Sequence, residues 1–126
     1  MKYNPKLKND VEKFKDYVIL VEGKKDVAAL KNAGFDKVYA IHVTGVGLRE
    51  RIEQIAEGIK DRKRTKVCIL TDLDKQGKKL YMLIKPILIE LGVKVDSTLR
   101  GILLKAKLSH MEGFEKFMGD VEGIDK

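Results

Sequence analysis

The feature that most constrains the fold is a short apolar run closed by an acid and a glycine, YVILVEG at residues 17–23. An uninterrupted run of that length suits a strand covered on both faces, because a strand with one wet face alternates apolar and polar residues. KKDVAALKNA (24–33) follows with helical character, and Gly34 stops it. The pattern then recurs. KVYAIHV (37–43) is a second strand, and Thr44–Gly45 turns into a helix whose Leu48, Ile52, Ile55 and Ile59 share one face. KDRKRTK (60–66) leads into a third strand, KVCILT (66–71). A further helix runs from about Lys75 to Leu91, kinked or split at Pro86; Gly92 ends it, and VKVD (93–96) is a fourth strand. A short polar helix over 5–15 precedes the first strand. TLRGILLKAKLSH (98–110) reads equally as helix or strand, GFEKFMG (113–119) as a short helix, and DVEGIDK as a tail.

Strand and helix in alternation predict an α/β, Rossmann-like domain: a mostly parallel four-stranded sheet flanked by helices. With 126 residues the chain fits one such domain. Parallel strands all end on one edge of the sheet. Glu22, the Thr44–Gly45 turn and the pair Asp72 and Asp74 therefore face the same rim, the edge on which open α/β sheets bind ligands.

Two acids at a strand end, in TDLD, match a hard cation: magnesium takes one or two carboxylates, keeps waters and accepts phosphate oxygens. The bland alternative is that one of them caps the next helix. Gly77 lets a phosphate or another backbone come close, and the helix N-terminus offers amide donors to anions. Glu22 closes an apolar run where a carboxylate is costly unless paired or metal-bound, which suits a general acid or base or a third ligand. A salt bridge to Lys24, Lys25 or a distant lysine is the other option. Lys24, Lys25, Lys75, Lys78 and Lys79 flank the acids as phosphate contacts or solvated lysines, and Arg49 and Arg51 stand at a helix start on the same edge.

Charge agrees with a polyanionic partner. The net charge is +7, and residues 112–126 hold five acids against two bases, so residues 1–111 carry +10. Cys68, the single cysteine, falls in an apolar run and reads as a buried, inert thiol. No apolar stretch reaches membrane-spanning length and the N-terminus lacks a hydrophobic signal core, so a cytoplasmic location is expected. One cysteine and the distant His42 and His110 do not make a zinc site.

VEGKKDVAAL, VTGVG and TDLDKQGKKL, in that order, resemble the Toprim domain over roughly residues 15–97, leaving 98–126 as a C-terminal extension. The wording VEGKKD and TDLDKQG is most similar to small stand-alone primase-like Toprim proteins and to the ribonuclease that matures 5S ribosomal RNA. The resemblance implies Glu22, Asp72 and Asp74 as catalytic and magnesium-binding residues, with manganese as a substitute. It implies Lys24, Lys25, Gly45, Arg49, Lys75, Gly77, Lys78 and Lys79 at the phosphates, and RNA or DNA as partner, with a protein partner in a nucleic-acid complex as a further option. The expected activity is nuclease or phosphoryl transfer; the alternative is a non-catalytic binding module. Lys78 stands where the topoisomerase version has a glutamate, and Tyr17, Tyr39 and Tyr81 fall inside predicted elements, which counts against strand passage. A phosphate-accepting receiver is disfavoured, because receivers carry the acid pair near the first strand.

Overall fold

The structure, a computed structural model, describes residues 5–106. The expected helix at 113–119, the tail and His110 lie outside them. The element order is α1 (Pro5–Glu12), β1 (Val18–Val21), α2 (Lys24–Asn32), β2 (Val38–Ala40), α3 (Leu48–Glu57), β3 (Lys66–Ile69), α4 (Lys75–Glu90), β4 (Lys94–Val95) and α5 (Thr98–Lys105). The four strands form one parallel sheet in the order β2-β1-β3-β4.

The apolar runs behave as doubly covered strands. Successive residues of a strand point to opposite faces. Ile19 and Val21 of β1 accordingly join Cys68 and Leu70 in a core closed by Val11, Phe14, Leu30, Phe35, Leu99 and Leu103. Val18 and Leu20 join Val67 and Ile69 in a second core with Ile52, Ile55, Ile84 and Leu88. Helices α1, α2 and α5 thus cover one face, and α3 and α4 the other. Burial pushes the Cys68 thiol up to about 12, helped by the charge of Asp96. Maleimide should therefore fail to label the native protein near neutral pH and should label it fully in guanidinium; fast labelling without denaturant would contradict this packing.

The chain steps from β1 outward to β2, then back past β1 to β3 and β4. The direction of travel changes between β1 and β3, a topological switch point where the loops leaving two neighbouring strands diverge and open a crevice. Residues 22 and 71–74 sit at that crevice.

Three expectations change. Pro86 does not split α4, which runs unbroken through it. Pro86 and Met82, whose carbonyl loses its helical partner to the proline, are both exposed, and water can satisfy an exposed carbonyl. The second strand is shorter than 37–43, although Ile41 and His42 still donate their amides to Val21 and Glu22 of the β1 end. Residues 98–105 are helical, with Leu99 and Leu103 buried against the sheet.

Candidate active site

Glu22 follows the last residue of β1 and is half-buried. Its neighbour across the sheet is β3, and the Leu70 amide still donates to the Leu20 carbonyl at 2.7 Å. One step further the ladder gives way to a side chain: the Asp72 amide donates to Glu22 Oε2 at 2.7 Å. A carboxylate accepting a backbone N–H makes a short, charge-assisted bond. Glu22 is thereby turned toward the loop that carries the two aspartates, and the cost of placing an acid at the end of an apolar run is offset.

Asp74 is the N-cap of α4, with Oδ1 accepting from the Gly77 amide at 2.8 Å. The cap predicted as the bland alternative is therefore present; one carboxylate oxygen makes it, and a carboxylate has two. Gly77 takes the second option open to it, close approach of another backbone. A Cβ there would stand 2.8 Å from the Asp72 nitrogen, 2.5 Å from its carbonyl carbon, and nearer still to its oxygen. Thr71, fully buried, ties the same loop by donating Oγ1–H to the Gly77 carbonyl at 2.6 Å.

Glu22 and Asp72 line an open cavity of about 440 Å³ together with Gly23, Lys24, Lys25, Asp26 and His42. Three acids, Glu22, Asp26 and Asp72, thus share the cavity with two lysines at the start of α2. Asp26 accepts the Gly23 amide at 3.1 Å. His42, which the sequence presents as a structural strand-end residue, also lines this cavity. Lys75, Lys78 and Lys79 are exposed in the first turns of α4, after Asp74. Gly45, at φ +81° in the β2–α3 loop, adopts a left-handed conformation that a side chain would strain.

Arg49 lies elsewhere. Its guanidinium pairs with Glu53 at 3.8 Å and with Glu90 at 3.0 Å. Glu90 ends α4, at the opposite end of that helix from Asp74, so Arg49 pairs with acids other than Glu22, Asp72 and Asp74. Arg51 likewise donates Nε to the Ala40 carbonyl at 2.8 Å.

The residue that sequence reasoning missed is Arg100 on α5. Apart from Thr71 it is the buried polar side chain among the described residues. Its donors reach the carbonyls of Thr71 (2.6 Å) and Asp72 (3.0 Å). Burial lowers the Arg100 pKa from the usual guanidinium value, while Tyr81, Asp72, Glu22 and Asp74 act to raise it. An arginine between buried Leu99 and Leu103 was the available signal, since a charge on the apolar face of a helix needs a partner.

A family model for the Toprim domain matches residues 17–98. The chain belongs to the Toprim domain family. A solved structure of an uncharacterised protein from Aquifex aeolicus is similar, with 27% sequence identity and a TM-score of 0.70, over 90% of this chain and 99% of that one. No curated protein matches. Toprim domains are generally associated with magnesium-dependent phosphodiester chemistry on nucleic acid, and typically bind Mg²⁺. Among the described residues no helix is long and apolar enough to cross a membrane.

The donor set of this Toprim domain fits magnesium in part. Hard carboxylate oxygens stand at the crevice, and one or two suffice when water and phosphate complete the shell. The described residues do not hold a ready-made group of three or more ligating side chains. A three-carboxylate cage, as the sequence suggested, is therefore not preformed.

Proposed function

We propose that this Toprim domain performs magnesium-dependent phosphodiester chemistry on nucleic acid, as a nuclease or a phosphoryl transferase, with structured RNA the first substrate to try. The observation that carries the reading is the 2.7 Å bond from the Asp72 amide to Glu22 Oε2, which joins the two acidic strand ends across the switch point. Asp72 and Asp74 would hold the cation, with Glu22 as a third ligand or as the proton-transfer group. Bound there, magnesium supplies charge neutralisation at the scissile phosphate.

The chain's own groups do the rest. One Glu22 oxygen is engaged by the Asp72 amide, and the same carboxylate can take a proton from an attacking hydroxyl. Lys24 and Lys25 on the cavity wall hold the phosphate backbone on the α2 side. Lys75, Lys78 and Lys79 extend that contact along α4. Gly45 and Gly77 shape the loops that the backbone would pass.

A second reading, a binding module without turnover, is favoured by one observation. Glu22 gives an oxygen to a backbone amide of the β3–α4 loop and Asp74 gives one to an amide in the first turn of α4, as acids with a purely structural task would. Incubating the pure protein with structured RNA, single-stranded DNA and supercoiled DNA separates the readings. Products that form with magnesium and vanish with chelator are expected on at least one substrate. Salt-dependent binding to all three without products would replace the first reading by the second.

A further inference from the structure

Arg100 emerges from α5 beneath the β3–α4 loop and is 8% exposed. Nη1 donates to the Thr71 carbonyl at 2.6 Å, to Thr71 Oγ1 at 3.1 Å and to the Ile69 carbonyl at 3.4 Å. Nη2 donates to the Asp72 carbonyl at 3.0 Å. The guanidinium also lies over the Tyr81 ring, 4.9 Å from its centroid, so a residue of α4 fixes its plane. The Asp72 residue is thus gripped from two sides: Glu22 takes its N–H and Arg100 its C=O.

A buried arginine serving only to fill space would be replaceable by a long apolar side chain. Here the fork ends on the backbone oxygens of the segment that presents Asp72, and on the hydroxyl that ties this segment to Gly77. We infer that Arg100 is a positioning residue for the divalent ion: its planar fork holds the Thr71–Asp72 backbone so that the Asp72 carboxylate stays beside Glu22 at the crevice. The inference rests on the metal-binding reading proposed above. It assigns the effect to the fork's geometry, because a positive charge behind the carboxylates by itself opposes a second cation. Lysine keeps the charge but has neither the plane nor the paired donors.

The test is Mn²⁺ binding to the full chain, read by electron paramagnetic resonance of the free ion, for the parent and Arg100→Lys. Residues that orient metal ligands typically change affinity by about 10–100-fold when replaced. Arg100→Lys should unfold cooperatively yet bind Mn²⁺ roughly 10-fold or more weakly, and the metal concentration needed for half-maximal activity should rise by a similar factor while the saturated rate recovers. Parent-like Mn²⁺ affinity in folded Arg100→Lys, even with a lowered Tm, would overturn the inference and leave Arg100 a packing residue. Should Arg100→Lys fail to fold, Tyr81→Leu removes the ring that fixes the guanidinium; weaker Mn²⁺ binding supports the inference, and unchanged binding overturns it. A parent protein that binds no Mn²⁺ would sink the metal-binding reading itself, and this inference with it.

Discussion

Asp72→Asn is expected to abolish magnesium-dependent cleavage while leaving the fold intact. The Asp72 backbone is fixed independently of its carboxylate, with its amide on Glu22 at 2.7 Å and its carbonyl on Arg100 at 3.0 Å. Asparagine can occupy the same backbone and differs by one charge and by a donor where an acceptor stood. A cation that relies on one or two carboxylates loses a principal ligand. A rate loss of about 10³-fold or more corresponds to roughly 4 kcal/mol of transition-state stabilisation. Single-turnover cleavage at saturating substrate measures it, with Tm as the control for folding. Cleavage by Asp72→Asn within tenfold of the parent, at the same magnesium concentration, would reject Asp72 as the ion's anchor.

Gly77→Ala should be the most damaging glycine-to-alanine substitution among the described residues. Alanine is the better helix former by about 1 kcal/mol, so propensity alone predicts a gain. Space predicts the reverse. The new Cβ would lie 2.5 Å from the Asp72 carbonyl carbon, and the obstacle is backbone, which cannot swing aside as a side chain does. Moving it strains the Gly77 amide bond to Asp74, the Thr71 bond to the Gly77 carbonyl and the Arg100 bond to Asp72 together. A steric clash with that many dependents belongs to the mutations that cost about 4 kcal/mol or more. Chemical denaturation should show that loss, or no folded protein at all. A variant as stable as the parent would mean that the loop and α4 are not in contact as described.

Much of the site was legible because topology forces it. Parallel strands bring Glu22 and Asp72 to one rim whatever the loops between them do, and the apolar runs around Ile19 and Cys68 announce those strands. Gly77 was legible only as a choice between a phosphate and a backbone, since a glycine signals close approach without naming the partner. The same limit hid Arg100. Its acceptors at Ile69, Thr71 and Asp72 lie 28–31 residues earlier, and no local pattern joins α5 to β3. Arg49 shows a related limit. A helix start on the active edge suggests a phosphate contact, and the guanidinium's partner in the structure, Glu90 on a neighbouring helix, is one that no local pattern names. Residues 98–105 were ambiguous because the spacing of four from Leu99 to Leu103 places both on one face of a helix or of a strand; burial of Leu99, Arg100 and Leu103 against the sheet decides for helix.

The central claim is that the acids following β3 hold one divalent ion at the switch point between β1 and β3, beside Glu22 of the β1 end. A crystal structure of the protein soaked in Mn²⁺, with the ion located by its anomalous signal, tests it most directly. The account predicts one ion within about 2.0–2.6 Å of a carboxylate oxygen of Asp72 or Asp74, on the Glu22 side of the loop. An ion held elsewhere on the domain, with Asp72 and Asp74 untouched at a concentration that supports activity, would contradict it.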